Sequence, residues 1–433
     1  MEPYLLLVIF IIFALIILSY TKSNLDFVAI SLLCCFTAAT ITFLVVGTTI
    51  DDFIVAIEWQ AIIVILCMSL ITKIAQDSNI LEFVAVKLFK VSRGDQRIFF
   101  WLLCTITTLL AAVISDVVVV LILAPIVIRL CHFLRIRSGT YLLGMTICIN
   151  IGSIITPFSS GENIIISTQF QLDTFYFIQN FWIFSFFLLF LTIYLMDKFL
   201  LSKEPKIAEE QKKFVIDLVD TDVMVKNKKM FYFNSIAIMI TIILFAVLPL
   251  LYLTAAISAL ILVLVNRNFT KKPMGELLKD IEWEIIFFFI SLYVVIKCLL
   301  DAGFEELFTS IPFETFNPIL LSLLILIIVS AVSGFVANTP TALIFNVIIQ
   351  TLINPPFNFA PLPLLFGFII GINLGGNIIP QGAACDMMTL KIARDSGVDN
   401  LNYKRLLKTG ATFALIHVSV SVIYIIILTV IFA

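Results

Sequence analysis

Charge is what this 433-residue chain has least of: Asp, Glu, Lys and Arg make up 13% of it, against 61% hydrophobic residues. An ordinary soluble domain is about a quarter charged and about half apolar. Here there is too little charge to cover a core of this size with a solvated surface, and the mean hydropathy of +1.14 points the same way. Histidine is nearly absent, two residues in all, and no HExxH or GxSxG stretch occurs. An intramembrane enzyme would therefore lack both a metal motif and a nucleophile–base pair. The eight cysteines form no CxxC or Cys/His spacing and lie mostly inside apolar runs, so they read as small hydrophobes. There is no Walker A motif, so neither a nucleotide site nor a cofactor is expected. The net charge of −2 is confined to short loops and implies no nucleic-acid partner. No small-residue cleavage site follows the first apolar run, which reads as a retained helix and not a signal peptide.

What is present is one apolar run after another. Spans of about 20 residues are expected near 4–20, 27–47, 59–76, 175–197, 232–249, 251–266, 283–300 and 410–432. Four further regions, 97–131, 140–170, 316–352 and 361–394, are interrupted by Gly, Pro, Asn or Asp. The one long polar segment, 198–230, carries charges of both signs and reads as a linker between transmembrane halves 1–197 and 231–433.

Those halves repeat. "IEW" at 57–59 recurs at 281–283, and Lys73 and Asp77 recur at the same offset of 224 as Lys297 and Asp301. "INIGSIITP" at 149–157 recurs as "INLGGNIIP" at 372–380, an offset of 223. The expected fold is an all-α polytopic membrane protein of two inverted-topology repeats. Each repeat holds a re-entrant hairpin and a discontinuous transmembrane helix, for about ten spans plus two hairpins. An odd number of crossings per half inverts the second half. With the N-terminus outside, the loops bearing Lys22, Lys87 to Arg97, Arg129 to Arg137, Lys198 to Lys229, Arg267 to Lys279 and Lys391 to Lys408 all fall inside. Of 27 Lys and Arg, only Lys297 lies towards the outer side. This is the bias of the positive-inside rule, and it predicts a multi-pass protein of the cell membrane with a cytoplasmic linker.

Backbone breaks at membrane depth are tolerated only where they line a cavity or are buried in protein. Two expected hairpin tips carry Ser115 and Asp116 in the first half, and Asn338, Thr339, Pro340 and Thr341 in the second. The first broken helix, "NIGSIITPFSSGEN", holds Asn150, Gly152, Thr156, Pro157, Ser159, Ser160, Glu162 and Asn163. The second, "NLGGNIIPQGAACD", holds Asn373, Gly375, Gly376, Asn377 and Asp386. Half-helix N-termini can hold an anion, while unwound carbonyls can hold Na⁺. Na⁺ is expected near Ser115, Asp116, Asn150, Asn338 and Asn373. An ionisable residue at depth costs ~2.5–3.5 kcal/mol on insertion scales and is a functional candidate by default. Asp116, Glu162 and Asp386 qualify: each could bind Na⁺, carry a coupling proton, repel the wrong substrate, or cap a half-helix.

Other features have blander readings. Glu58 and Glu282 precede Trp at span starts and read as interfacial anchors. The Lys73/Asp77 and Lys297/Asp301 pairs read as i,i+4 helix-surface pairs. His132 lies in a basic loop, His417 reads as packed and hydrogen-bonded, and 82–93 reads as an amphipathic interfacial helix.

The order of three spans, amphipathic helix, hairpin, broken helix and span, taken twice, resembles the ion transporter superfamily. That group includes arsenite permeases, NhaD-type Na⁺/H⁺ antiporters, relatives of the melanosomal P protein and divalent-anion/Na⁺ symporters. Ser115-Asp116-Val117 and Ala337-Asn338-Thr339 are similar to its hairpin-tip motifs. Asn150, Gly152, Thr156, Pro157 and Asn163 match its first break, and 373–386 has the same outline. The resemblance covers all but the linker, and it implies a joint Na⁺ and substrate site at tips and breaks. The departures are Asp116 in place of an asparagine, Ser160-Gly161-Glu162 in place of Asp-Pro-Pro, and Asp386 in place of a terminal Asn. The expected function is secondary active transport of a small ion, an inorganic or carboxylate anion, coupled to Na⁺ or H⁺ by alternating access. Na⁺/H⁺ antiport and arsenite-type efflux are the alternatives, an intramembrane enzyme or a passive channel more distant ones. The lipid bilayer and a small ionic substrate are the expected partners, with a homodimer by likeness.

Overall fold

A helix that is apolar on every face is stable only where all its faces meet lipid or protein, and most helices of this chain are of that kind. The computed structural model describes residues 3–21, 25–205, 225, 227–248, 250–281, 283–304, 306, 313 and 316–432. Most of the expected linker (206–224) and Glu282 lie outside the described residues.

The first half runs α1 (Pro3–Thr21), α2 (Phe27–Val46), α3 (Ile50–Ala56), α4 (Trp59–Asp77) and α5 (Ile80–Val91). It continues with α6 (Gln96–Ala111), α7 (Asp116–Phe133), α8 (Gly139–Gly152), α9 (Gly161–Gln169) and α10 (Thr174–Phe199). The second half runs α11 (Lys228–Val247), α12 (Leu251–Thr270), α13 (Met274–Lys279) and α14 (Trp283–Asp301). Then come α15 (Pro318–Val336), α16 (Asn338–Ile353), α17 (Pro361–Gly375), α18 (Ala384–Asp395) and α19 (Tyr403–Phe432). Among the described residues no strand occurs, and nine helices are long and apolar enough to cross a membrane. Helix starts follow local chemistry: Asp26, Asp95, Asp173, Asn227 and Asn317 each accept a backbone N–H of the first turn at an N-cap. The segment expected to be amphipathic is α5, and the two interrupted regions 140–170 and 361–394 each resolve into two half-helices.

Apolar packing divides the chain into two bodies that each draw on both halves. One core, the frame, gathers α1–α4 with α11–α14, and Phe158, Ile164, Ile165 and Leu343 of the second body pack into it. The other, the site body, gathers α5–α10 with α15–α19. Frame helices pair across the halves, α2 on α14 and α4 on α12. In the site body each hairpin packs on the broken helix of its own half, α6 on α8 and α15 on α17. The second half-helix of each break packs instead on the hairpin of the other half, α9 on α16 and α18 on α7. That exchange brings both hairpin tips and both breaks to one place.

Candidate functional site

Two glycines set the distance between hairpin and broken helix. A Cβ on Gly152 of α8 would stand 2.3 Å from the Thr108 carbonyl oxygen of α6, and one on Gly375 of α17 would stand 2.4 Å from that of Ser330 on α15. Only a residue without Cβ permits backbones this close. The two positions are those that matched in the repeated motif.

The tips and breaks then enclose a cavity of about 150 Å³, smaller than the ~300–1,000 Å³ of sites that take drug-sized ligands. Of the residues expected from the sequence, Ser115, Asp116, Ser159, Ser160, Glu162, Asn338 and Thr339 line it. Asn338 donates its amide to Glu162 Oε1 at 3.1 Å, across the two halves. Asn338 is itself oriented by Ser333, whose hydroxyl lies 2.6 Å from Asn338 Oδ1 and 2.8 Å from the Ile372 carbonyl oxygen. Asp116 Oδ1 accepts the Val117 backbone N–H at 2.8 Å, so this carboxylate partly caps α7 while facing the cavity. Ser160 is the N-cap of α9, and Glu162 in the first turn lines the cavity.

The remaining candidates lie behind this surface and hold the breaks in shape. Asn163 donates to the carbonyl oxygens of Ser153 and of Thr156, and Ser159 donates to the same two at 2.6 and 2.9 Å. These unwound carbonyls, expected to be open to Na⁺, are thus occupied by side chains. Thr156 donates to the Ala112 carbonyl oxygen at the end of α6, and Pro157 is buried beside it. Asn373 donates to Asn163 Oδ1 at 2.9 Å, and Asn150 to Asn377 Oδ1 at 2.7 Å, two amide bridges between the broken helices. Asp386 accepts the Thr146 hydroxyl at 2.6 Å, Thr341 donates to the Ala337 carbonyl oxygen, and Gly376 packs against Asn338. Of the five residues expected around Na⁺, Ser115, Asp116 and Asn338 face the cavity, whereas Asn150 and Asn373 do not line it. Asn373 Oδ1 and Asn377 Nδ2 have no partner among the described residues. No cluster of three or more His, Cys, Asp or Glu that could hold a metal ion occurs among them either.

The frame supplies the other wall, with cavity-lining positions that the sequence reading did not place there. Thr72, Lys73 and Gln76 of α4, Asp280, and Phe288 and Phe289 of α14 all line the cavity. Lys73 Nζ lies 3.0 Å from Asp280 and 3.8 Å from Asp77, while Lys272 Nζ lies 3.2 Å from Asp77. The Lys73 ammonium holds the Asp280 carboxyl below the usual carboxylate range. Lys73 was expected on a helix surface, but its helix packs at the seam between the two bodies. The recurrence of Lys73 as Lys297 was the signal that could have marked it. His417 matches its expectation, being fully buried against Thr192 at 2.7 Å.

A cavity where two bodies meet, lined by broken helices, is the arrangement of a transporter, and comparison with known proteins agrees. The sequence pattern of the CitMHS family, described as citrate transporters, matches residues 5–371. The chain belongs to this family. An uncharacterized transporter of Mycobacterium bovis, Mb2703, is 22% identical over 406 residues, 89% of this chain and 91% of that protein. The 46 kDa membrane protein of Mycobacterium leprae is 23% identical over 385 residues, 85% of this chain and 86% of that one. In fold the chain is similar to the crystal structure of the Alcanivorax borkumensis YdaH transporter. The TM-score is 0.61 at 12% identity, over 92% of this chain and 97% of that one. The CitMHS chain is therefore a multi-span membrane transporter of the ion transporter superfamily, and its relatives are transporters, not enzymes.

Proposed function

We propose that this CitMHS member is a secondary active transporter that carries a small carboxylate anion through the cell membrane, coupled to H⁺ or Na⁺. The supporting observation is that Asp116, Glu162 and Lys73 line one cavity between two separately packed bodies. With both carboxylates ionised the cavity repels an anion; with a proton or Na⁺ upon them it accepts one. Like charges held at short range in a poorly solvated site disfavour one another strongly, so anion and cation binding become mutually dependent. That dependence is the thermodynamic content of coupled transport. The citrate named in the family's description fits a small cavity with hydroxyls, the amides of Gln76 and Asn338, and the Lys73 ammonium. Alternating access follows if the site body moves against the frame, a motion in which Ile164, Ile165 and Leu343 would slide on frame residues. By the distribution of Lys and Arg, the N-terminus is outside, the linker is cytoplasmic, and the mouth beside Lys73 and Asp280 faces the cytoplasm. The exposed apolar faces of α11 and α12 meet lipid.

The test is uptake of citrate and of small dicarboxylates into proteoliposomes under an imposed pH or Na⁺ gradient. Uptake should collapse when the driving gradient is removed, and gradient-independent flux would sink the proposal. A second reading, Na⁺/H⁺ exchange, is favoured by one observation: the acids are deep, and Lys73, the only Lys lining the cavity among the described residues, pairs with Asp280. Under that reading a Na⁺ pulse dissipates a pH gradient in the same vesicles with no carboxylate present.

A further inference from the structure

The frame wall of the cavity has a second copy at the other end of the molecule. Ser69, Thr72, Lys73 and Gln76 on α4, with Asp280, form that wall at the site. The repeat offset of 224, which relates Lys73 to Lys297, also relates Ser69 to Tyr293, Thr72 to Ile296, Gln76 to Leu300 and Ala56 to Asp280. All five counterparts, Ala56, Tyr293, Ile296, Lys297 and Leu300, line one other cavity, closed on its far side by α16.

The two cavities lie at opposite ends of the frame. Tyr20, which lines the first, stacks on Phe288 near the start of α14, with ring centroids 4.7 Å apart, and meets Phe27 at the start of α2. At the far end Thr48, just past α2, donates to Asp301 at the end of α14 at 2.8 Å. On α14 the 13 residues from Phe288 to Asp301 separate these levels by about 20 Å at 1.5 Å per residue.

The two walls are alike in one respect and different in others. Each places a lysine on an aspartate four residues on, Lys73 on Asp77 and Lys297 on Asp301. At the open mouth Asp77 also has Lys272, at 3.2 Å, and Lys73 reaches Asp280, whose side chain is 46% exposed. Water can take over an exposed carboxylate at little cost, so Lys73 is free to exchange partners. At the other cavity the position of Lys272 is taken by Thr48 and that of Asp280 by Ala56. Lys297 is held by Asp301 at 2.5 Å, among Tyr293, Ile296 and Leu300, and the acids nearby in the same cavity are Asp51 and Asp52 at the start of α3.

Resting on the carboxylate reading above, we propose that Lys73 and Lys297 are paired specificity residues, one for each side of the membrane. Lys73 leaves Asp280 to meet the substrate carboxylate at the mouth open in this structure. Lys297 leaves Asp301 to meet it when the site body presents the site at the other end, where its cavity is the second mouth in closed form. Both lysines belong to the frame, so each contacts substrate in one orientation of the site and not in the other.

The experiment measures citrate uptake in right-side-out and inside-out membrane vesicles bearing wild type, Lys73→Gln or Lys297→Gln. Lys73→Gln should raise KM about tenfold in one vesicle orientation and leave the other within about twofold; Lys297→Gln should do the reverse. Lys73→Arg and Lys297→Arg should restore KM, and Asp280→Asn, by releasing Lys73, should lower it on the Lys73 side alone. Monodisperse elution of each variant separates misfolding from these effects. Wild-type vesicles that take up no carboxylate overturn both this inference and the function proposed. Normal wild-type uptake with variants that change both sides equally, or neither, overturns this inference alone.

Discussion

Asn338, at the hairpin tip of the second half, donates its amide to Glu162, in the broken helix of the first, at 3.1 Å. This hydrogen bond joins the two halves inside the candidate site, and Ser333 fixes the direction of the Asn338 amide from behind. Glu162→Gln keeps size and shape but loses the charge, and its amide can still accept from Asn338. The variant should therefore fold, and should exchange substrate across the membrane while failing to concentrate it. Counterflow retained at near wild-type rate, with accumulation lowered about tenfold, is the expected pair of readings. Accumulation at the wild-type level would remove Glu162 from the coupling machinery.

Asp116 accepts the Val117 backbone N–H while facing the cavity. Asp116→Asn removes a charge without removing a side-chain oxygen, so the capping bond to α7 survives. If the carboxylate carries the coupling proton, the variant loses its response to an imposed pH gradient, and its KM for the carboxylate stops varying with pH. Uptake that remains driven by the pH gradient would show that the residue serves α7 and nothing more.

Gly152→Ala and Gly375→Ala each press a methyl group onto a carbonyl oxygen, at 2.3 Å from Thr108 and 2.4 Å from Ser330. Backbone cannot rotate away as a side-chain tip can. Overpacking of this kind costs about 1–3 kcal/mol, and here the larger values are expected. Both variants should lose their monodisperse elution at a lower temperature than wild type in detergent. The two should behave alike, because each separates a hairpin from the broken helix of its own half.

Much of this site was legible in the sequence, for identifiable reasons. Polar and backbone-breaking residues are costly in lipid, so Ser115-Asp116, 150–163, 338–341 and 373–386 stood out against apolar runs, and the structure brings all four together. What was not legible was depth within the cluster. Asn163 and Glu162 are neighbours in one motif, yet one stitches the break through the Ser153 and Thr156 carbonyls and the other faces the cavity. Composition cannot distinguish them, since both are buried polar residues that find hydrogen bonds. Lys73 was missed for another reason. Its i,i+4 spacing to Asp77 describes a helix surface, and only the packing of frame against site body turns that surface into a cavity wall.

Ala337 precedes α16 with φ +82° and ψ +159°, a region that residues with a Cβ rarely occupy. Holding it there costs about 1–3 kcal/mol. Its neighbours explain why the strain persists. Ala337 lines the cavity, its carbonyl oxygen accepts the Thr341 hydroxyl at 2.7 Å, and the next residue is Asn338, whose amide must reach Glu162. At the other tip Ser115 has an ordinary φ of −46°, so the strain belongs to the second hairpin. Glycine at 337 would relieve it, offset by about 0.5–1 kcal/mol for the greater freedom of the unfolded chain. Ala337→Gly should therefore raise the melting temperature measured in detergent. Ala337→Val, β-branched and less tolerant of positive φ, should lower it. A glycine variant less stable than wild type would show that the Ala337 methyl contributes more by packing than its backbone loses by strain.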